Sequence, residues 1–239
     1  MVSSEQLRYN YALIKKRYAK RGKKIVRLTQ SSLLLVQAID ATTNVYKFPV
    51  LETDNAVAPL PEEIRLNTND EFISYDLGYY LMANKVAVQV EETPIVPLLN
   101  AKMFFTYAPD ELGVPYGNLQ DAWLGKLEIL VNKISRLEKW DLKRHNVIPR
   151  TQFRNSLRGI PIATQPSADY KKDGMFEMSP MLTLSGAKKN EVTVTLVHAV
   201  PSTVTGTWAN PDGNAIRFDA KWLALLFRGM LAQNAAKFQ

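Results

Sequence analysis

"MLTLSGAKKNEVTVTLV", residues 181–197, decides the fold class. In its second half Val192, Val194 and Leu196 alternate with Thr193 and Thr195. One face is then apolar and the other polar, the pattern of a half-buried antiparallel strand. The "SGAKKN" between its apolar runs supplies Ser, Gly and Asn, residues that turn a chain back. The same period of two returns in "KLEILVN" (126–132), where Leu127, Ile129 and Val131 oppose Lys126 and Glu128.

Working outward, short β-rich segments fill the chain from "KKIVRLTQ" (23–30) onward, separated by turn signals such as "PDELGVPYGN" and "NPDGN". They amount to roughly sixteen to eighteen candidate strands, with no alternation of strand and helix. That pattern predicts an all-β sandwich or barrel. One jelly roll takes about eight strands, so the count predicts two consecutive jelly-roll β-barrels, residues 23–145 and 146–239, with a single elaborated barrel as the alternative. One segment resists the period of two: "KWLALLFRGMLAQNAAKF" (221–238) fits either a helix burying Trp222, Leu226 and Met230 or a long strand buried on both faces. Gly229 in mid-segment and the strand-like "AIRF" before it favour the strand.

Residues 1–22 have a different character. Leu7, Tyr11, Ile14 and Tyr18 recur at helical spacing, Ser3 and Gln6 have capping-box spacing, and Gly22 is a plausible stop. Up to Leu28 there are nine Lys or Arg residues against one acid, Glu5, in a chain whose net charge is +7. The remainder therefore sums to −1: a nearly neutral body carries a basic amphipathic arm. Such a helix has three uses. Its apolar face can lie in a membrane interface with its lysines at the headgroups; its charges can neutralise nucleic-acid phosphates; or its apolar face can pack on its own body. The apolar stripe favours an interface over nucleic acid, since phosphate binding alone needs no stripe. Leu7, Tyr11, Ile14 and Tyr18 are the candidate membrane or neighbour contacts, and Lys15, Lys16, Arg17, Lys20 and Arg21 the candidate contacts to an anionic surface.

Composition narrows the chemistry. The absence of cysteine removes disulfides, thiol nucleophiles and Cys-ligated zinc. Two histidines, His145 and His198, make a His-rich metal site improbable on numbers alone, and both read as structural, His145 on a surface or loop. No apolar run reaches membrane-spanning length and the first residues lack a secretory h-region, so folding in a cytoplasm is expected. No nucleophile elbow, P-loop, dinucleotide fingerprint or zincin motif occurs. The acid pairs Glu62–Glu63, Asp70–Glu71, Glu91–Glu92 and Asp110–Glu111 adjoin turns, and no spacing selects one as a glycosidase pair. "ANPDGNA" (209–215) reads as a hairpin rather than a calcium loop, and "DLGYYL" and "KMFFTY" as buried sheet rather than base-stacking platforms. The expectation is a non-enzymatic protein without cofactor, catalytic residue or metal.

The stretches Leu124–Gln152, Met181–Val197 and Trp222–Asn234, together with the basic helix, resemble the double jelly-roll major capsid proteins of icosahedral phages with an internal membrane, the smallest members in particular, such as those of lipid-containing single-stranded DNA phages infecting Flavobacterium. The resemblance implies a virion protein whose homotrimers make pseudo-hexagonal capsomers. It also implies minor capsid or vertex proteins as partners, and an N-terminal helix that meets the internal membrane, encapsidated nucleic acid or neighbouring capsomers. Deleting residues 1–22 is expected to spare the fold and to abolish ordered assembly. Two barrels in about 215 residues is tight, and a single jelly roll also serves in capsids. The alternatives are a single-barrel minor virion protein of vertex or spike type, and a carbohydrate-binding or carbohydrate-active sandwich with Trp123, Trp140 or Trp208 exposed in a cleft.

Overall fold

The computed structural model describes residues 4–20, 27–54, 63–86, 95–98, 121–146, 174–200, 204–209 and 215–238. They form one helix, α1 (Ser4–Lys20), and ten strands: β1 (Arg27–Ala38), β2 (Val45–Phe48), β3 (Glu71–Val86), β4 (Ile95–Leu98), β5 (Gly125–Val131), β6 (Ile134–Asp141), β7 (Met175–Ser185), β8 (Asn190–Leu196), β9 (Val204–Ala209) and β10 (Ala215–Gln233). The alternation read in the sequence is realised. Along β8 every second residue from Asn190 to Leu196 is buried, and along β5 Leu127, Ile129 and Val131 point inward.

All strand pairs are antiparallel, in two sheets. One has the order β1-β10-β3-β4, with β7 also on β3 and β9 also on β10; the other has the order β2-β8-β5-β6. Setting aside the short β4 and β9, the pairs β1·β10, β2·β8, β3·β7 and β5·β6 are nested, first with last and inward to the central hairpin. At that hairpin Asn132 and Lys133 both have positive φ, the geometry of a two-residue turn whose twist matches its strands.

This pairing runs across the expected division at residue 145. β10 lies between β1 and β3, and β8 between β2 and β5. Strands from before and after residue 145 thus share both sheets, and the described residues do not part into a first and a second barrel. Non-local pairing is the physical reason: strand count carries no information on which strands hydrogen-bond.

Between the sheets lies the main core. Leu33 and Leu35 of β1, Phe72, Leu77, Tyr79 and Leu81 of β3, and Leu223, Leu225 and Phe227 of β10 meet Tyr46, Phe48, Leu127, Ile129, Val192 and Val194 of the smaller sheet. The larger sheet is apolar on its other face too. There Val36, Tyr80, Met82, Ala224 and Leu226 form one buried cluster, and Ile73, Tyr75, Met230 and Ala232 join a second. Burial on both faces explains why β3 and β10 read as near-continuous apolar runs with no period of two. The strand reading of the C-terminal segment holds, and a 3₁₀ turn, Ala235–Phe238, follows it.

Gly229 lies opposite a bulge in the neighbouring strand β3. β10 pairs Arg228 with Asp76 and Gly229 with Ser74, leaving Tyr75 as the extra residue on β3. Ser74 Oγ donates to the Asp76 carbonyl at 3.0 Å or to the Arg228 carbonyl at 3.1 Å, bracing the irregularity. A β-carbon on Gly229 would overlap the Ile73 carbonyl. The bulge reverses the parity of β3, so Phe72 and Leu77 both face the core while Ile73 and Tyr75 face away, toward α1.

Candidate functional site

The candidate surface is α1 and the end of the sandwich beneath its C-terminus. Ile14 and Tyr18 are 2% and 3% exposed and pack on Ile73, Tyr75, Met230, Ala232 and Ala235. Asn10, one turn earlier, is buried with them. Tyr18 O–H donates to Glu71 Oε2 at 2.6 Å, a buried charge-assisted bond, and Arg17 Nη1 donates to Thr183 Oγ1 at 3.2 Å. Of the four proposed apolar contacts, Ile14 and Tyr18 thus contact the chain's own sheet and present nothing to a membrane or neighbour. Tyr11 is exposed, and the Leu7 side chain lies outside the described residues. The physical reason is the outward-facing apolar patch of the larger sheet, whose burial favours docking by about 2 kcal/mol per large side chain. The described helix, Ser4–Lys20, is accordingly packed on the body through Ile14 and Tyr18 rather than free of it.

Lys15, Lys16, Arg17 and Lys20 are exposed, as the charge reading requires of a solvent-facing surface, and Arg21 lies outside the described residues. Docking leaves a second stripe outward that the sequence reading missed: Tyr9, Leu13, Lys16 and Lys20, at spacings of four, three and four. Tyr9 is 63% and Leu13 44% exposed. The signal was present, since this stripe has helical period too, but two stripes compete on a single helix and only the shape of the body selects which one docks.

The corner that receives α1 also holds the turn that follows β10. Asn234 N–H donates to Asp70 Oδ1 at 2.7 Å and Ala236 N–H to the Asn69 carbonyl at 2.9 Å. The adjacent acids Asp70 and Glu71 therefore serve two different attachments and do not converge as an acid–base pair. Glu63 forms a buried ion pair with Arg65 at 2.9 Å and accepts from the Val36 N–H at 3.2 Å. Glu62 and the pairs Glu91–Glu92 and Asp110–Glu111 lie outside the described residues.

His145 is fully buried, which corrects its expected surface or loop position. It sits in the 3₁₀ turn Leu142–His145 that follows β6, where the turn folds the ring under the sandwich. Its Nε2 accepts from Trp140 Nε1–H at 2.9 Å and its Nδ1 lies 2.8 Å from the Gly174 carbonyl, which fixes the proton on Nδ1. Phe176 packs edge-on against it at 5.0 Å. Burial pushes its pKa down to about 4, opposed by the Gly174 bond and assisted by the Arg144 charge. The ring is neutral with both nitrogens engaged, so its role is structural. His198 is exposed.

The aromatic segments follow the core reading where they are described. Tyr79 and Tyr80 of "DLGYYL" are buried, Tyr79 O–H donates to the Ala122 carbonyl at 2.7 Å, and burial raises its pKa. "KMFFTY" lies outside the described residues. Trp123 is fully buried, and Trp140 is partly buried with the Arg144 guanidinium 4.0 Å over its ring. Neither offers a platform for a sugar; the Trp208 side chain lies outside the described residues. The "ANPDGNA" reading is met at its ends, because Ala209 pairs with Ala215 across β9 and β10. Among the described residues no cluster of three or more His, Asp or Glu stands close enough to hold a metal, and no helix is long and apolar enough to cross a membrane. Comparison of the chain with protein-family models, curated proteins and solved structures finds no match in any of the three.

Proposed function

We propose that the chain is a structural virion protein, a capsid subunit built on one jelly roll, whose basic helix lies on the membrane-facing side of the shell. The observation that carries this reading is the nested strand order, β1-β10-β3-β7 in one sheet and β2-β8-β5-β6 in the other. It is the winding of an eight-stranded jelly roll, a fold used in viral capsids and also in lectins and cupins. Because fold alone does not assign function, the helix decides among these uses. A docked helix with Tyr9 and Leu13 outward among Lys16 and Lys20 suits an anionic membrane interface, where rings and aliphatic groups sit at headgroup depth and lysines reach the phosphates. A lectin has no use for that face, and the burial of Trp123 and the covering of Trp140 by Arg144 weigh against the carbohydrate reading.

The double jelly roll and its trimeric capsomer are the finer form of the resemblance. A trimer gives six barrels only if each chain supplies two, whereas the described strands make one two-sheet unit. The reading adopted here is therefore the single-barrel form, as a shell subunit or as a vertex component, with copies of itself as first partner.

Replacing the outward stripe tests the reading without touching the docked face. The quadruple variant Tyr9→Ser, Leu13→Ser, Lys16→Glu, Lys20→Glu should keep the thermal transition of the parent protein. It should lose sedimentation with vesicles of phosphatidylglycerol and lose ordered particles by electron microscopy. Undiminished vesicle binding and complete particles from this variant would sink the proposed role of the helix.

A further inference from the structure

A polar cleft of about 300 Å³ opens beneath the last turn of α1, between β7 and the β5–β6 hairpin. Three cationic side chains line it from three separate elements: Arg17 of α1, Arg136 of β6 and Lys188 of the β7–β8 turn. Ser135 and Thr183 add hydroxyl groups, and Glu71 contributes the one carboxylate of the lining. That carboxylate is 1% exposed and takes the Tyr18 O–H, so it lies at the base of the cleft rather than at its mouth. The charged side chains of the lining thus sum to +2, and like charges around one open cleft reinforce one another's field.

The parts are held in place. Thr183 fixes the Arg17 guanidinium at 3.2 Å, and β7 carries Thr183 on the wall. The β5–β6 turn, which precedes Arg136, and the β7–β8 turn, which carries Lys188, are tied to each other: Asn132 N–H donates to the Lys189 carbonyl at 2.8 Å and Lys189 N–H to Asn132 Oδ1 at 3.0 Å. Asn190 Nδ2 secures the second turn from within, at 2.8 Å to the Ser185 carbonyl and 2.9 Å to that of Lys188. Two guanidinium groups, an ammonium and hydroxyl groups lining one cleft suit a tetrahedral oxyanion, for which arginine offers paired N–H donors.

We propose that this cleft is a phosphate-binding site, for free phosphate or for the phosphate of a lipid headgroup. It rests on the lining residues alone and stands whether or not the chain is a virion protein. The test is calorimetric titration of the full-length protein with inorganic phosphate and, separately, with dihexanoylphosphatidylglycerol below its micelle concentration, against sodium chloride at matched ionic strength. Phosphate should give a saturable signal that chloride does not. Arg136→Ala and Lys188→Ala, both away from α1 and from the core, should each weaken binding about tenfold, the loss of one charge-assisted hydrogen bond. Lys143→Ala, outside the cleft, should leave it unchanged. Tighter binding of the lipid than of free phosphate identifies the headgroup as the natural source, and equal binding identifies the free ion. Equal signals from phosphate and chloride, or phosphate binding that survives both cleft variants, would overturn the assignment.

Discussion

Removing one oxygen from Tyr18 measures how firmly α1 belongs to the body. The Tyr18 O–H to Glu71 Oε2 bond is 2.6 Å long, with residues 3% and 1% exposed, so water does not replace it when the hydroxyl is lost. A hydrogen bond to a charged group contributes about 1.5–3 kcal/mol, and Tyr18→Phe keeps the ring in the cluster with Ile73 and Met230. The variant should therefore lose about 1.5–3 kcal/mol from the docking of the helix. Since about 1.4 kcal/mol is a factor of ten, amide exchange in the second half of α1 should quicken by about ten- to a hundredfold. The exchange of β8 should move less, because the main core does not touch Tyr18. Hydrogen-exchange mass spectrometry resolved to α1 peptides reads the effect, and Glu71→Gln closes a double-mutant cycle that isolates the pair. Unchanged exchange in α1, with additive single variants, would refute the docked helix and return the arm to a free segment.

Three other perturbations probe the rest. Gly229→Ala places a β-carbon against the Ile73 carbonyl and should cost about 3 kcal/mol in urea denaturation, whereas a neutral outcome would remove the bulge from the account. The His145 pKa of about 4 lies below its unfolded value near 6.5, so the stability from the buried neutral ring is whole above about pH 6.5 and is lost as pH falls toward 4, by about 3 kcal/mol in all. His145→Asn should flatten that acid slope; equal slopes for both proteins would deny the burial. Deleting residues 1–22 uncovers Ile73, Tyr75 and Met230, so the truncated chain should melt earlier and aggregate; an unchanged melting temperature would contradict the packing.

Legibility in the sequence followed locality. β5 and β8 were readable residue by residue because each has one wet face and one dry face, as in Val192–Thr193–Val194–Thr195. β3 and β10 hid their period because both of their faces are covered, and Gly229 and the preceding "AIRF" were the local clues to a strand in β10. The nested pairing that joins β1 to β10 across nearly the whole chain left no local trace, and strand count alone suggested two barrels where the described strands interleave in one pair of sheets. At the site, the helix and its charge were plain, but the docking stripe was not distinguishable as such: Ile14 and Tyr18 face inward only because the bulge at Tyr75 turns Ile73 and Tyr75 toward them. The cleft was illegible for the same reason as the sheets, since Arg17, Arg136 and Lys188 meet only in three dimensions.

The central claim is that one 27.0 kDa chain is one building block of a shell. Light scattering behind size exclusion, at low and high salt and with anionic vesicles present, tests it most directly. A shell subunit should give a discrete oligomer that proceeds to closed particles with one two-sheet unit per chain when imaged. A monomer under every one of those conditions would contradict it.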